Sequence, residues 1–245
     1  MGFLFFMRFY GGKTRLLKFI LPVLKNHWRG LDGYIEPFVG GASVISNITF
    51  SPRFKIASDY DASLIKMWQQ ATSGEFDPPS SITREEYYEV KSEYEVSALR
   101  AFVKYGCSFG GKAWGGYASG KGRNFALESR NMVLDRANRM TDVMFLSGDY
   151  KDVLESIAPQ DCMIFCDPPS LRHSGYKRIF NRDEFYEYMR VLSVYNKVII
   201  YDDIEAPKDF KAVWSQVRDK NIPGSYDKKP IMERLYTWKR WKITV

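Results

Sequence analysis

Gly33-Tyr34-Ile35-Glu36-Pro37-Phe38-Val39-Gly40-Gly41-Ala42-Ser43 is the stretch on which the reading of this chain turns. It reads as a short buried strand that runs into a glycine-rich turn, with a helix predicted to open over 42–48. Small residues at 40–42 let the backbone approach a ligand closely where that helix begins. Nineteen residues after Gly40, Asp59 closes a second short strand predicted over 54–58. An acid placed there can accept hydrogen bonds from ribose hydroxyls. Either feature alone is weak, since glycine turns are often structural and strand-end acids usually solvated. Together they point to a nucleoside-bearing cofactor.

Outward from this stretch, Tyr10-Gly11-Gly12-Lys13 precedes a helix over 14–28, whose apolar positions are Leu16, Leu17, Ile20, Leu21 and Leu24, with Pro22 inside it. A helix over 63–71 follows the second strand, capped by Asp61 or Ser63. The texture changes after Gly74. Asp77-Pro78-Pro79-Ser80-Ser81 reads as a linker, and Thr83 with Glu86 forms a capping box before a charged helix. Residues 105–124 are rich in glycine, lysine and aromatics, and acids are sparse throughout 100–140, where only Glu128 and Asp135 occur. The strand–helix alternation resumes at Asp142. Strands are predicted over 143–146, 162–166 and 197–201, helices after Asp149-Tyr150 and over 183–192, and a terminal hairpin from 233–237 and 239–245. This alternation predicts an open α/β sheet formed by residues 1–73 and 141–245, with 74–140 inserted.

The apolar strand at 162–166 ends in Asp167-Pro168-Pro169-Ser170. The two prolines fix the backbone and remove two amide donors. A carboxylate and carbonyl oxygens remain, an acceptor-only surface suited to a group with two N–H donors, such as the exocyclic amine of a base.

Bulk properties narrow the classes. Hydrophobic residues make up 45% of the 245 and charged residues 27%, ordinary values for a globular protein. The net charge of +7 and pI near 9.1 are compatible with a polyanionic partner without requiring one. Three cysteines (Cys107, Cys162 and Cys166) argue against a disulfide framework and for a reducing, cytoplasmic setting. With only His27 and His173 besides, a metal site is not expected. Met1–Met7 is too short for a signal core or a membrane span.

In these motifs the chain resembles the Dam-type (D12 class) adenine-N6 DNA methyltransferases. The resemblance rests on Gly11-Gly12-Lys13, on Glu36-Pro37-Phe38-Val39-Gly40-Gly41-Ala42-Ser43-Val44, on Asp59, on the insertion, and on Asp167-Pro168-Pro169. It implies a Rossmann-like S-adenosylmethionine-dependent methyltransferase sheet with an inserted, mainly helical target-recognition region. It also implies S-adenosylmethionine as cofactor, with Tyr10, Gly11, Gly12, Lys13, Glu36, Pro37, Phe38, Gly40, Gly41 and Ser43 along its methionine part. Asp59 would meet the ribose, and Asp149 with Tyr150 the adenine. Asp167, Pro168, Pro169 and Ser170 would form the catalytic loop. The implied partner is duplex DNA, contacted by Lys112, Lys121, Arg123 and Tyr176, and the resemblance admits a cognate restriction endonuclease, a bacterial or phage origin, and neither metal nor membrane. Ser170 departs from the pattern, which has an aromatic that stacks on an extruded base; Tyr176 or Phe180 are the nearby substitutes. The alternative this leaves open is a weakened or inactive DNA- or cofactor-binding protein on the same fold. A nicotinamide enzyme is disfavoured because the turn lacks Gly-x-Gly-x-x-Gly.

Overall fold

In the computed structural model, residues 11–170, 180–218 and 230–239 are described. After a 3-10 turn at Lys13–Leu16, helix α1 (Leu17–His27) leads to strand β1 (Gly33–Glu36). Pro22 sits within α1 without ending it. Strand β2 (Phe54–Asp59) and helix α2 (Ala62–Ser73) follow. The Asp61 side chain caps α2, accepting from the Ser63 and Leu64 amides, and Gly74 ends it in the left-handed conformation.

Residues 74–140 then supply α3 (Arg84–Ser92), α4 (Ala98–Ala101) and α5 (Phe125–Ala137), with a π turn at Phe102–Gly106. The capping box of Thr83 and Glu86 forms in full. Strand β3 (Val143–Ser147), helix α6 (Tyr150–Ile157), strand β4 (Cys162–Cys166), helix α7 (Arg182–Leu192) and strands β5 (Lys197–Asp202), β6 (Phe210–Arg218) and β7 (Ile231–Trp238) complete the described elements.

The seven strands form one sheet in the order β3-β2-β1-β4-β5-β7-β6. The first five are parallel and β7 is antiparallel to both neighbours. This is the Rossmann-like open α/β sheet that the sequence predicts. Alternate side chains divide between its faces. Tyr34, Ala57, Phe145, Met163, Phe165 and Ile199 pack with α1, α2 and residues of the 74–140 segment. Ile35, Ile56, Ile164, Val198 and Ile200 pack with α6 and α7. A Cβ at Gly33 would lie 2.3 Å from the Phe54 ring and 2.9 Å from Cys162 Sγ, so a larger residue there would force those side chains to shift. The chain leaves β1 for β2 on one side and returns to β4 on the other. The carboxyl ends of β1 and β4 therefore flank the switch point at which open sheets form a ligand crevice.

Two local expectations fail. The helix over 42–48 is only a 3-10 turn at Ile45–Asn47. Ala42 is left-handed at φ 54°, and the side chains of Ser46 and Asn47 take the carbonyls of Ala42 and Ser43. Such local bonds favour a turn over a helix. The hairpin partner of the 233–237 stretch is β6, which has no regular alternation because a bulge interrupts its register between Ala212 and Trp214. Of 239–245, only Lys239 lies among the described residues.

Candidate active site

The turn after β1 is tied down from several directions. The Gly40 amide donates to Asp59 Oδ2 at 3.0 Å, and Trp68 Nε1, fully buried on α2, donates to the Gly40 carbonyl at 3.0 Å. The Val39 amide reaches the Ser58 carbonyl at 2.9 Å. Asp59 thus orders the turn itself, while its Oδ1 accepts from the Asp61 amide at 3.0 Å. A carboxylate has about four lone-pair directions, so two remain for a ligand. Burial pushes the Asp59 pKa up to about 6, against the pull of these amides.

Glu36 is buried at the end of β1 and accepts from the Tyr34 hydroxyl at 2.7 Å. Desolvation raises its pKa to about 8, with the charge of Asp167 adding to the effect and the Ile45 amide opposing it. Asp167, at the end of β4, receives the Lys13 ammonium at 2.6 Å. Burial raises the pKa of Asp167, and Lys13 pulls it back. The same ammonium donates to the Gly11 carbonyl at 2.8 Å and lies 4.1 Å from the centre of the Tyr201 ring. Tyr201 on β5 in turn donates to Glu233 on β7 at 2.9 Å. Lys13, Glu36 and Asp167, chosen from separate motifs, therefore converge at the switch point. Sequence reasoning missed Tyr201 and Glu233, which carry no motif.

The loop after Asp167 is held by α7 and by the end of β5. Arg182 donates to the Pro169 carbonyl at 3.1 Å and pairs with Asp202, which also accepts from Tyr186 at 2.9 Å. Ser170 Oγ donates to the Asp203 carboxylate, at 3.0 and 3.3 Å from its two oxygens. Asp149 caps α6 through the Lys151 amide at 3.1 Å. Phe38 and Tyr150 stand with ring centres 5.1 Å apart, joined by Phe180 and Phe185. Phe180 thus packs with residues expected along the cofactor, not as a lone platform beside Ser170. Tyr10 and Tyr176 lie outside the described residues. Gly12, Pro37, Gly41 and Ser43 fall on the same two turns as Lys13 and Gly40.

In the 74–140 segment, Lys112, Lys121 and Arg123 are exposed. Arg123 is forked onto Glu128 and covers the Phe125 ring at 4.5 Å. Most aromatics here are structural. Tyr117 donates to the Ile82 carbonyl at 2.8 Å, and Tyr105 to Asp61 Oδ2 at 2.7 Å. Tyr88, Tyr94 and Phe109 are exposed, and Phe109, at 67%, is followed by Gly110 and Gly111, both left-handed. Two consecutive glycines after an aromatic were the available signal for that tip. No described helix is long and apolar enough to cross a membrane.

No curated protein matches the chain by sequence. Among solved structures, the rRNA methyltransferase aviRa from Streptomyces viridochromogenes is 14% identical, with a TM-score of 0.44 over 92% of this chain and 85% of that one. A conserved hypothetical protein of Streptococcus pyogenes is 8% identical, with a TM-score of 0.40 over 88% and 92%. Residues 9–105, which include the first glycine turn, Lys13, Glu36–Val44 and Asp59, fit the family model of the D12 class N6 adenine-specific DNA methyltransferases, which supports a methyltransferase.

Proposed function

We propose that the protein transfers a methyl group from S-adenosylmethionine to N6 of an adenine flipped out of duplex DNA. The observation that carries this reading is the convergence of Asp167, Lys13 and Glu36 at the switch point, beside a glycine turn held open by Asp59 and Trp68. The residues fit a cationic cofactor. Burial raises the pKa of Glu36, Asp59 and Asp167, and a cation beside them would favour their charged forms. When bound, S-adenosylmethionine supplies a methyl group activated by a sulfonium.

The chain supplies placement. Asp167 and the Pro168 carbonyl accept the two N–H bonds of the amine, drawing electron density onto nitrogen and stabilising positive charge as the new bond forms. A carboxylate of raised pKa is also the better acceptor for the proton that the nitrogen must lose. Lys13 keeps Asp167 ionised and fixed. A base within a duplex cannot reach this loop unless it is extruded. Phe109, Lys112 and Lys121 on the inserted segment are suited to that work, one as an apolar wedge and two as phosphate contacts.

A second reading, a binding protein without chemistry, is favoured by Ser170, whose hydroxyl is engaged with Asp203 where the family pattern has an aromatic. Transfer of labelled methyl to unmethylated duplex DNA, with RNA as competitor, separates the two. Label that appears with wild type and disappears with Asp167→Ala supports the enzyme. Label only with Ser170→Tyr supports the disabled site, and label preferring RNA overturns the choice of substrate.

A further inference from the structure

Arg136 lies on α5, within the segment expected to read DNA, yet it is only 4% exposed. One guanidinium nitrogen donates to the Gly41 carbonyl and the other to Thr14 Oγ1 at 3.0 Å. Thr14 Oγ1 is 3.4 Å from Ser43 Oγ. One buried cation therefore joins α5 to both glycine turns, that at 11–14 and that at 40–43. Arg139, one position on from Asn138, adds a second tie, from its guanidinium to Asn47 Oδ1 at 2.7 Å. Among the described residues, no carboxylate pairs with Arg136. Burial depresses its pKa to about 10; the neighbouring charge of Arg139 acts in the same direction and that of Asp135 opposes it.

A merely structural arginine is the simplest explanation. It accounts for the hydrogen bonds but not for the charge. Neutral donors would satisfy Gly41 and Thr14 without desolvating a cation that has no carboxylate in direct contact, which is expensive. The charge is accounted for if an anion arrives with the ligand. The two turns that Arg136 joins are those assigned above to the amino-acid end of the cofactor, and that end carries a carboxylate. We propose that Arg136 is a positioning residue for the amino-acid end of the cofactor, clamping the two turns and setting a positive charge behind them for the ligand's carboxylate. This rests on the reading of the site as a cofactor crevice. It makes the inserted segment part of the cofactor site.

The test compares two probes by calorimetry. S-adenosylhomocysteine carries the amino-acid end, and methylthioadenosine has the same nucleoside without it. Arg136→Gln is expected to weaken S-adenosylhomocysteine roughly ten-fold or more, the scale of a charge-assisted contact. Methylthioadenosine should change less than two-fold, and Arg136→Lys should restore part of the loss. A structural role alone would weaken both probes together or neither, and either outcome overturns the proposal. If Arg136→Gln does not fold, Arg136→Lys carries the same comparison, with a loss for S-adenosylhomocysteine alone still expected. Wild type that binds neither probe refutes the cofactor reading itself, and this proposal with it.

Discussion

Replacing Arg182 with methionine tests how the loop after Asp167 is held. Arg182 pairs with Asp202, whose side chain is 1% exposed, and donates to the Pro169 carbonyl at 3.1 Å. Asp202 keeps two neutral donors in the variant, Tyr186 at 2.9 Å and the Ile204 amide at 3.0 Å, but no cation in contact. Breaking a buried pair by removing one partner costs about 3–5 kcal/mol, a large part of the roughly 5–15 kcal/mol that holds a domain together. At roughly 2–4 °C per kcal/mol for a chain of this size, the melting temperature should fall by about 6–20 °C at pH 7. The pH dependence identifies the cause. Burial already raises the Asp202 pKa, Arg182 opposes that, and the substitution lets it rise further. A carboxyl whose folded pKa lies above its unfolded value loses stability as pH rises from the unfolded value through the folded one. The gap between variant and wild type should therefore be smallest near pH 4 and widen toward neutrality. Adding Asp202→Asn should recover part of the loss at pH 7. Scanning calorimetry from pH 4 to 8 reads all three. A gap of constant size would mean that lost packing, not a stranded charge, is responsible; a shift under 2 °C at pH 7 would refute the reasoning outright.

Asp167→Asn should lower kcat by roughly 10²–10³-fold, the usual effect of losing one electrostatic contact to a transition state, while leaving the affinity for S-adenosylhomocysteine within a few-fold; a kcat near wild type would dismiss Asp167. Ser170→Tyr should tighten capture of an extruded base, at most by the roughly 1–3 kcal/mol of one stacked base less the lost bond to Asp203. A fall in KM for DNA without change for the cofactor is the expected pattern, and an unchanged KM would place the base elsewhere. Glu36→Gln should flatten the pH dependence of stability. Glu36, with its pKa near 8, opposes folding increasingly as pH rises from the unfolded carboxylate range toward 8, so the variant should gain on wild type over that interval. Urea unfolding at pH 5 and 8 reads the difference, and parallel curves would contradict the burial argument.

The parallel half of the sheet was legible because each strand is a short apolar run closed by a residue with one clear role. Ile35 before Glu36, Ala57 before Asp59 and Phe165 before Asp167 all read correctly, and capping residues such as Asp61 and Thr83 marked the helix starts. The antiparallel edge was half hidden. β6 is bulged, and its pairing with β7 joins residues whose linking segment has no repeat to reveal it. The helix expected after Gly41 is cut short by the left-handed Ala42, and the Ser46 and Asn47 side chains bond to the carbonyls of Ala42 and Ser43, features that periodicity does not reveal. Motifs brought Lys13, Glu36 and Asp167 forward, since each is flanked by glycine or proline. Tyr201, Glu233, Arg182 and Arg136 have ordinary neighbours and owe their positions to tertiary contacts formed across the sheet.

The charges at the crevice follow a pattern that no single motif contains. Glu36, Asp59, Asp167 and Asp202 stand at the ends of four adjacent strands, and each carries a pKa above its ordinary value. Holding acids in this state destabilises the ligand-free protein, because water is withdrawn from them faster than Lys13 and Arg182 compensate. A cation entering among them would draw these pKa values down. An anion would gain nothing there. S-adenosylmethionine carries both signs: a sulfonium and an ammonium suited to the acids, and a carboxylate that they would repel. The buried charge of Arg136, which donates to the Gly41 carbonyl, has the sign that this carboxylate would need, as does that of Lys13 on the first glycine turn. On the proposed role of Arg136 the crevice would not be simply acidic: its polarity would run across the ligand, with α5 at the positive end.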